Sequence, residues 1–300
     1  MRSFQRIFAL VCLIFIMSSC ANRQVGSLEQ LEGLLRSVMS ETEGDFALVF
    51  QDLNNRDNSL YLNADETFHA ASTMKTPVMI EVFKQAEAGK FSVYDSIEVK
   101  NEFSSIVDGS PFSLNIDRDW GDGLYGFLGK KKSILTVTYD MITVSGNLAT
   151  NNIIELVGAD NANASMHELG ATNIKVLRGV EDMKAFDLGM SNETTARDLA
   201  IIFESLAGCT FISQEACEMM IDILADQEFT NIIPALLPDD VRVAHKTGSI
   251  TGVSHDSGIV YLPDGRSYVL VVLSKNLNDA SEGAEAGARM SRIIYDFLNP

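Results

Sequence analysis

Basic side chains are in deficit in this 300-residue chain: 23 lysines and arginines stand against 41 acids, a formal charge of −18. Such a surface repels nucleic-acid phosphates and anionic lipid headgroups, so no nucleic-acid partner is expected. Only four histidines are present, with no H-x-H or H-E-x-x-H spacing, and neither a metal nor another cofactor is expected. The chain has no G-x-S-x-G elbow. His255 and Asp256 are adjacent, but strand neighbours face opposite ways, which argues against a Ser-His-Asp triad built on them. Internal repeats are absent. The apolar run Ile7–Met17 is too short to span a bilayer as a stable helix.

That run follows Arg2 and Arg6 and ends in "MSSC", the layout of an export signal. The ending resembles a bacterial lipobox, with Cys20 as the acylated first residue of the mature chain. Residues 1–20 are therefore expected to be a lipoprotein-type signal peptide and 21–26 a tether. An ordinary cleaved signal is the competing reading. In both the mature protein is exported to the periplasm. Its membrane contact would run only through the lipid on Cys20, and the chain is expected to be a monomer. Export leaves Cys209 and Cys217 free to form a disulfide, but two buried thiols fit the spacing as well.

Hydrophobic residues make up 46% of the chain, enough for a sizeable core. Leu31, Leu34, Leu35 and Val38 stripe a helix over 28–39, and "FALVFQDL" and "SLYLN" read as a hairpin. Helical patterns continue through the middle, expected at 138–144, 148–157, the short stretch "ASMHELGA", 195–206 and 213–225. "RVAHKTGSI" and the segments flanking "PDG" return to strands, and 282–298 closes the chain as a helix. Strands at both ends with helices between imply an α+β fold. It would hold one antiparallel sheet built from both chain ends, flanked by the terminal helices, with an inserted all-helical lobe. The α/β lobe takes about 27–71 and 228–300, and the helical lobe about 72–227, within one domain over 27–300. Residues 101–133 read as a long surface lid around Trp120. In it "DRDWGDG" has its third aspartate one place late for a calcium loop, so a solvated turn is expected.

Three short motifs carry the chemistry. In "AASTMKTPVMIEVFKQAEAG", Ser72 and Lys75 share a helical face with Met79, Val82 and Ala86, so the lysine starts out pointing inward. Burial disfavours an ammonium, and a lysine that can lose its proton can take one from a hydroxyl a turn away. Ser145-Gly146-Asn147 falls in a break between helices, and Lys246-Thr247-Gly248-Ser249 lies on a strand.

Together these motifs resemble those of the penicillin-recognising serine hydrolases, and among them the class A β-lactamases, over about 44–298. The resemblance implies that Ser72 is acylated, Lys75 activates it and Ser145 relays a proton to the departing nitrogen. It further implies that Asn147 bonds the substrate amide. Lys246 would supply a positive field that depresses Lys75, and Thr247 and Ser249 would take the substrate carboxylate. The backbone N–H groups of Ser72 and Ser249 would form the oxyanion hole. Glu181, 36 residues after Ser145 and 65 before Lys246, matches the position of the family's water-activating glutamate. Two positions depart from the pattern. Gly146 replaces an aspartate that usually steadies the loop, and Ala185 replaces an asparagine that helps hold the water, a task that would pass to Asn192 or a backbone group. The expected function is a serine β-lactamase. The alternative is a penicillin-binding D-Ala-D-Ala peptidase, or a β-lactam sensor that stays acylated.

Overall fold

A computed structural model describes residues 26–299; the signal segment, Cys20 and most of the tether lie outside the described residues. Helix α1 (Leu28–Glu41) starts where the Ser27 hydroxyl accepts from Gln30 N, and buries Leu31, Leu35 and Val38. Strands β1 (Asp45–Asp52) and β2 (Ser59–Leu62) form the hairpin. Then come α2 (Lys75–Glu87), α3 (Ile134–Thr143), α4 (Asn147–Val157), α5 (Ala159–Leu169) and the short α6 (Met183–Asp187). Helices α7 (Ala196–Gly208) and α8 (Gln214–Ala225) lead into β3 (Arg242–Ile250), β4 (Val253–Tyr261) and β5 (Ser267–Lys275). Helix α9 (Ala280–Leu298) ends the chain.

The five strands order as β2-β1-β5-β4-β3, antiparallel throughout, so the N-terminal hairpin docks on the last strand of the C-terminal meander. Alternation within β1 assigns its two faces. Phe46, Leu48 and Phe50 join Leu31, Leu35, Met290 and Ile294 of the terminal helices. Ala47 and Val49 join the core shared with α7 and the helical lobe. Both faces are covered, which is why β1 reads as a nearly continuous apolar run.

Local chemistry moved three boundaries from their expected places. Helix α3 begins at Ile134, four residues before the expected start, because the Ser133 hydroxyl caps it by accepting from Thr136 N at 3.2 Å. Strand β4 begins at Val253 and so includes the polar run Ser254-His255-Asp256. The two ionisable side chains of the run are buried with partners within the fold: Asp256 pairs with His245 Nδ1 at 2.8 Å, and His255 Nε2 bonds His69 O at 2.9 Å. Helix α5 also runs longer than the "ASMHELGA" stretch suggested.

Cys209 and Cys217 are free thiols, so of the two readings the disulfide is the one not realised. Cys209 is the left-handed cap of α7, its thiol aimed at Leu206 O, and Cys217 is a buried core residue of α8. Gly258 in β4 tests how tightly the sheet is packed. A Cβ there would lie 2.5 Å from Ala244 O and 2.5 Å from His245 Cβ. Gly258→Ala is expected to lower the unfolding free energy by about 1–3 kcal/mol, read as a lower urea midpoint at unchanged slope.

Candidate active site

The chain enters α2 through a 3₁₀ turn, Ala71–Met74, which carries Ser72. Ala71 is left-handed (φ 45°), and two bonds hold the approach: Ala71 N donates to His69 Nδ1 at 3.0 Å and Ala70 N to Asn192 O at 2.8 Å. Strand β3 passes close beside this turn. A Cβ on Gly248 would sit 3.1 Å from both Ser72 N and Thr73 N, so the glycine permits the close approach that sets Ser72 beside Thr247 and Ser249.

Lys75, first residue of α2, has no exposed surface. Its Nζ donates to Ser145 O at 2.7 Å, and lies 3.2 Å from both Ser145 Oγ and Asn147 Oδ1. Burial lowers its pKa to about 7, against the pull of the Asp119 and Glu181 carboxylates in the other direction. Lys246 is equally buried and donates to Ser145 Oγ and to Thr247 O, both at 3.1 Å. Its pKa is held well below the ordinary lysine range by burial and then by the nearby Lys75 charge. The Ser145 oxygen thus receives an amine on each side. A hydroxyl has two acceptor sites and one proton, so its own proton is left free to point into the cleft.

Glu181 also has a left-handed backbone (φ 62°), as does Ser145 (φ 55°). Strain of this kind persists only where surrounding bonds enforce it. Around Glu181 they do. Val180 N donates to Asn151 Oδ1 at 2.7 Å and Asn151 Nδ2 to Val180 O at 3.0 Å. The buried Asp182 carboxylate accepts from Ser105 Oγ and Ile106 N, each at 2.9 Å, tying this loop to the 101–133 segment. Asn147 Nδ2 donates to Glu181 Oε1 at 3.2 Å while its Oδ1 faces Lys75, so one amide links acid and amine. Ser72, Ser145, Asn147, Glu181, Thr247 and Ser249 all line one cleft of about 1000 Å³, with the two lysines beneath its floor.

The profile of the beta-lactamase enzyme family matches residues 30–298. The chain belongs to that family. The extended-spectrum beta-lactamase PER-1 of Pseudomonas aeruginosa is 25% identical over 256 residues, 79% of this chain and 78% of its own. Among solved structures, a mutant of PBP-A captured as an acyl-enzyme with penicillin G is 27% identical, with a TM-score of 0.77 over 91% of this chain and 97% of that one. A beta-lactamase from Sphaerobacter thermophilus is 25% identical, with a TM-score of 0.73 over 88% and 96%.

Within this β-lactamase fold Ser72, Ser145, Asn147, Thr247, Ser249 and Glu181 line one cleft, and the buried Lys75 and Lys246 reach it through Ser145, but some details differ from expectation. Among the described residues Lys75 makes its hydrogen bonds to Ser145 and Asn147 and none to Ser72, so proton transfer needs the Ser72 hydroxyl to turn toward it or a water between them. Burial lowers both amines, and the repulsion between their charges opposes protonation of both at once, while the Asp119 and Glu181 carboxylates pull Lys75 the other way. Asn192 does not replace the missing water-holding amide, because its side chain is committed to the backbone: Oδ1 accepts from Leu177 N and Arg178 N, and Nδ2 donates to Arg178 O. Ala185 is fully buried and both its backbone groups are taken: its N–H donates to Asp182 Oδ1 and its carbonyl accepts from Met190 N at 2.9 Å.

"DRDWGDG" is not a solvated turn. Asp119 is buried and accepts from Asn147 N and Leu148 N at 2.8 Å each. Among the described residues no cluster of potential metal ligands exists there or elsewhere. Asp119 is the residue that sequence reasoning missed. The glycine at 146 could have signalled that an acid must come from elsewhere, but nothing local says from where.

Proposed function

We propose that this protein hydrolyses β-lactams by acylation of Ser72 and water attack on the resulting ester. The observation that carries the proposal is the continuous chain Glu181–Asn147–Lys75–Ser145–Lys246, which joins a carboxylate, two perturbed amines and a hydroxyl along one cleft wall. In the first half, Lys75 with its pKa near 7 takes the Ser72 proton, and the serine oxygen bonds the lactam carbonyl carbon. The oxyanion lies toward the backbone N–H groups of Ser72 and Ser249, where such donors are typically worth about a hundredfold or more in rate. The C–N bond then breaks, and the nitrogen receives its proton from Ser145, which is resupplied by an adjacent lysine. In the second half, Glu181 takes a proton from water, hydroxide attacks the ester, and the Ser72 oxygen leaves with a proton.

The substrate carboxylate would meet Thr247 and Ser249 beside the Lys246 charge. Trp120, 77% exposed, stands edge-on to Phe229 at 5.7 Å, giving the mouth of the cleft an aromatic rim for the variable substituent. The strained placement of Glu181 favours turnover over the reading in which the chain stays acylated, since that reading has no use for a carboxylate held there. We also propose that the protein works as an exported chain, lipid-anchored through Cys20, resting on the "MSSC" signal alone. Intact mass after export would show the acyl chains.

Time-resolved intact mass after exposure to penicillin, with steady-state assay of a chromogenic cephalosporin, tests the enzymatic reading. A transient adduct on Ser72 with sustained product release is expected. A stoichiometric burst followed by a stable adduct would overturn the hydrolase reading in favour of the binder.

A further inference from the structure

We propose that Asp119, carried on the segment before α3, is a positioning residue for the proton relay, standing in for the acidic side chain that Gly146 cannot supply. The inference rests on the reading of the cleft as a serine hydrolase site. Helix α4 begins directly after Gly146, which has no side chain to cap the free N–H groups of the first turn. Asp119 takes two of them from 28 and 29 residues upstream: Oδ1 accepts from Asn147 N and Oδ2 from Leu148 N, each at 2.8 Å. Gly121 N at 3.0 Å and Tyr125 Oη at 3.1 Å complete four donors on one buried carboxylate. A negative group at a helix N-terminus is favoured by the backbone dipoles as well.

The absence of a side chain at Gly121 is what admits this segment: a Cβ there would lie 2.6 Å from Gly146 Cα, whereas one on Gly146 would meet Gly121 Cα at an ordinary 3.4 Å. The two glycines pack face to face, which seats the Asp119 segment against the start of α4. Through Asn147, the carboxylate fixes the residue whose amide joins Lys75 to Glu181, and it steadies Ser145, whose left-handed backbone presents O and Oγ to Lys75. Its charge also reaches Lys75. The charged groups facing that amine are Asp119 and Glu181, which pull its proton affinity up, and Lys246, the neighbouring amine.

The test uses Asp119→Asn and Tyr125→Phe, with acylation by penicillin followed as a function of pH and the Lys75 side chain titrated by NMR. Asparagine keeps the shape, but its amide NH₂ must face one of the two backbone N–H groups, donor against donor. Asp119→Asn is expected to lower the plateau acylation rate by about 10–100-fold, the scale of a small misplacement of catalytic groups. It is also expected to move the Lys75 midpoint below the wild-type value, because a negative neighbour is gone. Tyr125→Phe removes one donor and keeps the charge. A fall of up to about tenfold with the wild-type midpoint is expected. Wild-type rates in both variants, or a slower Asp119→Asn enzyme with an unmoved midpoint, would overturn the proposal, the second by reducing Asp119 to a structural cap. If Asp119→Asn does not fold, Tyr125→Phe decides by its rate. If wild-type protein is never acylated, the functional reading fails on its own. The NMR midpoint still decides on Asp119.

Discussion

Exposed to penicillin, the Glu181→Gln variant is expected to acylate and then stop, holding one acyl group per chain on Ser72. Glutamine can still accept from Asn147 Nδ2 through its carbonyl oxygen, so the bond that positions residue 181 survives. What it loses is the capacity to take a proton from water. General-base catalysis is typically worth about 10²–10⁴ in rate, and the deacylation rate should fall by that much. Acylation should be spared, and even favoured below neutral pH, since Glu181 is one of two carboxylates that hold the Lys75 proton on. Intact mass against time separates the steps. Turnover equal to wild type would remove Glu181 from the water-activating role.

The second large effect is expected from Lys75→Arg. A guanidinium does not lose its proton in proteins and presents a planar fork where the amine makes a compact set of contacts with Ser145 and Asn147. Acylation should drop by about 10²–10⁴ and lose its ionisation near neutral pH. Rates within about threefold of wild type would exclude Lys75 as the base. The same buried amine affects stability. The unfolded chain keeps the lysine proton up to about pH 10.4, whereas the folded chain releases it at about 7. Between these values the unfolded state binds more protons, so stability should rise with pH across that window. The rise should be smaller in Lys75→Met, where only the buried Lys246 amine still contributes to it.

The features legible in the sequence are those that local pattern determines. The runs in β1 and β5 are apolar because both sheet faces are covered, and the inward stripe of α2 points Lys75 at the floor of the cleft. The three motifs were legible because each packs its chemistry into three or four consecutive residues. Asp119 was not, because its partners are 28 and 29 residues away and the acids around it imitate a solvated turn. The polar start of β4 was hidden for a related reason: Ser254-His255-Asp256 is buried only because His245 and His69 come to meet it. Asn192 was correctly placed near the cleft, but its task, holding the backbone at 177 and 178, is set by contacts that no spacing rule encodes. Left-handed residues such as Ala71, Ser145 and Glu181 carry no signature at all, since each side chain is one that ordinarily avoids φ near +60°.

The central claim is that the Ser72 proton is taken by a buried lysine whose pKa, lowered to about 7, leaves a substantial fraction of it neutral at physiological pH. It is tested most directly by the rate of acylation of wild-type protein at saturating penicillin from roughly pH 5 to 9, with the adduct mapped by peptide mass. The account predicts a rate that climbs with pH through one ionisation near 7, and an adduct on Ser72. A rate flat across that range, or an adduct on another residue, would contradict it.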